Sequence, residues 1–72
     1  MSKLRDMLFT SARADKAKAL LTLELLEKNP AGIGDHSTED FYKNAEEALA
    51  MLADADDRLE AIEKYMTKKE VI

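Results

Sequence analysis

All the backbone punctuation in this chain falls in one place. The only Pro and both Gly residues lie within Asn29-Pro30-Ala31-Gly32-Ile33-Gly34-Asp35, in a chain of 72 residues. Pro30 has no amide donor and steers Asn29 away from helical angles, while Gly32 and Gly34 turn the chain without steric cost. A helix entering this segment stops near Lys28. A second starts at about Thr38, with Asp35 and Ser37 as candidate N-caps and Ser37-x-x-Asp40 resembling a capping box with Asp in place of Glu. The expected fold is all-α and occupies residues 1–72 as a single domain. It has helix 1 over about 2–28, a loop over 29–37 and helix 2 over about 38–69, folded as a two-helix antiparallel hairpin. Glu39 and Asp40 at the start of helix 2, and Lys64, Lys68 and Lys69 at its end, suit the helix dipole.

Helix 2 carries the most regular pattern. Phe41, Ala45, Ala48, Leu52, Ala55, Leu59, Ile62 and Met66 are spaced 4, 3, 4, 3, 4, 3, 4, a coiled-coil-like heptad seam. Three of these eight residues are Ala, so a partner helix can approach more closely than a Leu seam allows. Tyr42, Leu49, Met51 and Tyr65 flank the seam and widen the stripe.

Helix 1 shows two stripes, one through Met7, Ala14, Ala17, Leu21 and Leu25 and another through Leu8, Ala12, Ala19, Leu23 and Leu26, about a third of a turn away. Two stripes imply two neighbours. Between Ala17 and Leu26 only Lys18, Thr22 and Glu24 are polar, so this end of the helix is expected to be buried on most sides. A lone hairpin of helices roughly 40 and 50 Å long offers one neighbour and leaves an apolar ridge in water. A chain of this size also sits where one core barely offsets chain entropy. With no Cys and a single His, neither disulfides nor a Cys/His zinc site can help. The expected remedy is a homodimeric four-helix bundle. Its core and interface would draw on Leu8, Leu21, Leu23, Leu26, Phe41, Leu49, Leu52, Leu59, Ile62 and Met66.

Charge is unevenly spread about its net of −4. Residues 1–28 carry six basic and four acidic side chains, a net of +2, and residues 38–72 carry five basic and ten acidic, a net of −5. Opposite signs favour side-by-side docking of the helices, at about 0.2–1 kcal/mol per exposed pair. Nucleic-acid binding is disfavoured, because Asp6 and Asp15 dilute the one basic segment. No stretch approaches the ~20 apolar residues needed to span a bilayer, and Met1 to Thr10 lacks the apolar run of a signal peptide. A soluble cytoplasmic protein with no membrane partner is expected.

Catalysis is not expected. There is no Cys nucleophile, Ser11 and Ser37 lack a His–acid system apart from the adjacent His36, and Ile33 stands where a Glu-x-x-His iron motif needs its Glu. Asp54-Ala55-Asp56-Asp57 with Glu60 faintly resembles a calcium loop, but it lacks the turn Gly and sits within the heptad pattern, so a solvated helix face is the better reading. No metal or cofactor is expected. Asp15 and Lys18 lie between the stripes of helix 1. They could form a buried ionic lock with Arg58 or Asp56, and the reading preferred here is a pair of long side chains reaching the rim. In the loop, Gly32, Gly34, His36 and Ser37 precede a helix N-terminus that could hold an anion. Asp35, Glu39 and Asp40 already place negative charge there. A turn plugged by Ile33 and capped by Asp35 or Ser37 is the simpler account, with His36 bracing the loop or serving as a switch near neutral pH.

Leu4-Arg5, Leu8 and Ser11-Ala12-Arg13-Ala14, the segment Asn29-Pro30-Ala31-Gly32-Ile33-Gly34-Asp35-His36, and Leu59-Glu60-Ala61-Ile62-Glu63-Lys64-Tyr65 together give the chain a resemblance over nearly its whole length. It resembles small helical-hairpin proteins of tailed marine phages and ocean metagenomes. The resemblance implies the hairpin and a bacterial or phage-infected host cell, and it carries over no functional residue. The expected function is a structural or regulatory protein–protein interaction module, pairing with itself and with a further protein. Two alternatives remain open: small-anion or nucleotide binding at the Gly32–Ser37 loop, and inhibition of a nucleic-acid enzyme by acidic helix 2 as a phosphate mimic.

Overall fold

The computed structural model describes residues 2–28 and 38–67. Those residues form two helices, α1 (Lys3–Lys28) and α2 (Thr38–Tyr65), with no strand among them. The loop expected over 29–37 lies outside the described residues. Ser2 is the N-cap of α1: its Oγ accepts the amide hydrogen of Arg5 at 2.9 Å while its carbonyl accepts that of Asp6 at 3.1 Å. One orphan donor of the first turn is thereby satisfied, and Asp6 adds an acidic group near the positive dipole end. At the other end Lys28 pairs with Glu24 at 3.0 Å, an i,i+4 bond within the last turn.

The helices lie side by side and antiparallel. Lys16 meets Asp56 at 3.0 Å, Asp15 meets Arg58 at 2.7 Å, and Arg5 meets Thr67 at 2.9 Å. The numbers of each pair add to 72 or 73, so the register runs without a slip from the middle of the hairpin to its open end.

The seam of α2 follows the heptad expected of it: Ala48, Ala55 and Ile62 are buried, and Phe41, Ala45, Leu52 and Leu59 are half-buried. On α1 the buried positions recur every seven residues at Ala12, Ala19 and Leu26, with Phe9, Lys16 and Leu23 half-buried beside them. Alanines dominate because helices crossing at small residues bring their backbones close. Four of the six buried side chains among the described residues are Ala, and none of the large ones is fully buried. The result is a thin rod rather than a globule, 56 × 16 × 15 Å with a radius of gyration of 16.3 Å. A compact chain of this length has a radius near 11 Å.

α2 is helical as far as Tyr65, and residues 68 and 69 of the expected span lie outside the described residues. At this end the Thr67 hydroxyl lies 3.4 Å from the Ile62 carbonyl and accepts hydrogen bonds from Arg5 Nε and Nη2 at 3.2 and 2.9 Å. The contacts tie the end of α2 to the first turns of α1. In the single hairpin, Leu20, Leu21 and Leu25 of the segment expected to need more than one neighbour are each about half exposed. One neighbouring helix covers one face only.

Candidate functional site

A second heptad runs along an exposed face of α1, about a third of a turn from the seam with α2. Leu4, Met7, Ser11, Ala14, Lys18, Leu21 and Leu25 are spaced 3, 4, 3, 4, 3, 4, and all seven are exposed. Leu4, Met7, Leu21 and Leu25 stand 60, 68, 56 and 51 % open to solvent. The surface follows from the local sequence. A helix that carries apolar residues in two registers presents two apolar faces, and α2 occupies one of them. Isolated exposed leucines are ordinary on protein surfaces, but two blocks of exposed large apolar residues aligned on one face of a helix, Leu4 with Met7 and Leu21 with Leu25, are not.

The residues expected to form core and interface divide between these surfaces. Leu26 and Ile62 are buried in the seam, and Leu23, Phe41, Leu52 and Leu59 are half-buried along it. Leu21 belongs to the outer stripe, and Leu49 is exposed on the back of α2. Leu8 and Met66 are 43 and 38 % exposed. With Arg58, Ala61, Ile62 and Tyr65 they line an open groove of 280 Å³ at the free end of the hairpin. A groove of 260 Å³ on the same hairpin runs between Leu26, Ala48 and Met51, and a larger one of 620 Å³ is lined by both acidic and basic side chains around Phe9, Leu20 and Leu59. Gly32, Gly34, His36 and Ser37, the expected anion loop, lie outside the described residues.

The charged residues bind the hairpin to itself. Arg58 bridges Asp15 across the helices at 2.7 Å and Asp54 within α2 at 3.0 Å. The hydrogen bond to Asp15, opposed by partial desolvation, holds the Arg58 guanidinium above its ordinary pKa, which leaves it charged at any pH the fold meets. Lys16 takes Asp56, so Asp15 meets one of its anticipated partners while Lys18 does not meet Asp56. The Asp15–Arg58 bridge is 39 and 37 % exposed, a rim pair rather than a buried lock. Two of the four carboxylates of the calcium-like run, Asp54 and Asp56, are each engaged in an ion pair, and no metal-binding cluster of His, Cys, Asp or Glu occurs among the described residues. A double-mutant cycle over Asp15→Ala and Arg58→Ala is expected to show a coupling that disappears in 1 M salt, where the screening length falls to about 3 Å. Coupling that survives such salt would restore the buried lock.

Arg5 was not anticipated as part of the seam. It lies seven residues before Ala12, its side chain is 15 % exposed, and its guanidinium sits 5.3 Å from the Phe9 ring centre while donating to Thr67. Arg13 lies 5.7 Å from the same ring, so Phe9 carries two cations. The signal was the seven-residue interval, hidden because an apolar search skips an Arg whose stem buries while its head finds a partner at the open end.

Comparison with protein-family models, curated proteins and solved structures finds none that matches this chain.

Proposed function

We propose that the chain is a structural or regulatory protein–protein interaction module that works as a homodimer, two hairpins closing into a four-helix bundle. The exposed stripe of α1 is the observation that carries this reading. Its scale supports it as well: the chain has an accessible surface of 5552 Å², whereas a compact monomer of its mass exposes about 4,500 Å². The difference, roughly 1,000 Å², is close to the ~800 Å² that each partner contributes to a stable interface. Burial of this surface adds apolar contact that the alanine-rich seam lacks. The reading assigns the chain no catalytic step, and it places the module in the cytoplasm of a bacterial or phage-infected cell. No helix among the described residues is long and apolar enough to cross a membrane.

Sedimentation equilibrium from one to one hundred micromolar tests the proposal. The expected result is a helical species of twice the 8.1 kDa chain mass, with a melting temperature that rises with protein concentration as mass action requires. A cooperative, concentration-independent melt of a monomer overturns it.

A further inference from the structure

We infer that the second copy lies antiparallel along α1, with the two-fold axis crossing the helix at Ala14. This inference rests on the homodimer reading and adds the docking mode to it.

The outer stripe reads nearly the same in both directions. Leu4 and Met7 form an apolar block at one end, Leu21 and Leu25 form another at the far end, and Ser11, Ala14 and Lys18 lie between. Antiparallel pairing about Ala14 sets Leu4 against Leu25 of the other copy and Met7 against Leu21. It sets Ser11 against Lys18, and Ala14 against itself where the backbones come closest. Parallel pairing places Lys18 on Lys18 inside the contact, a like-charge approach in a partly desolvated seam. The flanks make the same choice. Lys3 and Glu24, both exposed, each precede a leucine at the end of the stripe. The antiparallel arrangement brings Lys3 beside Glu24 of the other copy at both ends, whereas the parallel one leaves the two copies of each residue on opposite sides of the contact and makes neither pair. The two Asp15 carboxylates come near each other at the antiparallel axis, and each is paired there with its own Arg58 at 2.7 Å, which offsets their like charge.

The chain has no cysteine, so single introduced thiols report contacts cleanly. Three full-length variants suffice: Ala14→Cys, Leu4→Cys and Leu25→Cys, each at an exposed position. A disulfide needs Cα atoms within about 7 Å, whereas antiparallel docking holds the two copies of position 4 roughly 30 Å apart. Under mild oxidation Ala14→Cys is expected to link to itself, and the mixture of Leu4→Cys with Leu25→Cys to give the mixed 4–25 disulfide, while neither end variant links to itself. Self-linking of Leu4→Cys overturns the antiparallel arrangement. Failure of every pair to link, in a preparation that still sediments as a dimer, overturns the stripe as the contact and leaves the homodimer standing; a monomer in the same run removes both. Charge exchange gives a readout free of thiols. Lys3→Glu is expected to weaken dimerisation about fivefold, and adding Glu24→Lys to restore it. An unchanged affinity in both variants counts against the pairing.

Discussion

Ile62→Ala is expected to lower the unfolding free energy by about 2–4 kcal/mol, the usual cost of cutting a buried Ile to Ala. Ile62 is 5 % exposed and is the one large buried side chain that α2 contributes to the seam, whose other buried members on that helix are Ala48 and Ala55. Its removal deletes transfer energy and leaves a gap that two straight helices close only by tilting. It also opens the floor of the groove that Leu8, Tyr65 and Met66 line and takes away the packing beside the Arg5–Thr67 hydrogen bonds. A domain of this length has a stability of roughly 4–11 kcal/mol, so the loss is a large share of the total. Urea unfolding at one fixed protein concentration measures it, with Leu49→Ala as the comparison. Leu49 is 57 % exposed on the back of the hairpin and should cost far less. A loss below about 0.5 kcal/mol for Ile62→Ala, within the range of neutral surface changes, would show that the seam is not where the fold is held.

Ala55→Leu is the complementary experiment. Ala55 is 0 % exposed, as is Ala12, and Ala19 is 1 % exposed, so the two backbones meet at methyl groups with no space for a larger side chain. Overpacking a filled core costs about 1–3 kcal/mol, and the upper half of that range is expected here because a rigid helix transmits the displacement along its whole length. Helix propensity does not account for such a loss, since Leu is close to Ala in that respect. Ala53→Leu on the exposed side of α2 separates the two effects and is expected to leave the unfolding midpoint unchanged. Equal behaviour of the two variants would mean that the helices do not approach at their alanines.

The ion pairs show how far charge could be read in advance. Opposite net charges on the two segments anticipated attraction between the helices, and Lys16–Asp56 has the expected direction, basic from α1 to acidic from α2. Asp15–Arg58 runs the other way. Net charge describes a segment, whereas a bridge depends on which two side chains the register brings within about 4 Å. The same distinction separates the residues that were legible from those that were not. The seam of α2 was visible because its large residues alternate with alanines at heptad spacing. Its partner on α1 was legible in part: Ala12, Ala19, Leu23 and Leu26 stood in one of the two stripes and lie in the seam, whereas Arg5 and Lys16 are not residues an apolar search selects.

Sequence alone determined the helices and the break between them, since Pro30, Gly32 and Gly34 act on their own backbone and heptad spacing is a property of a single helix. It also determined that α1 has two apolar faces. Only the tertiary structure decided which of those faces meets α2, and that Arg5 reaches Thr67 across a separation of 62 residues. Each of these depends on the place of one helix relative to the other. Periodicity marks the face a helix will bury, but the neighbour that covers it is chosen by close packing, and here small side chains at Ala12, Ala19 and Ala55 let the backbones approach on one face of α1 and left the leucines of the other face open.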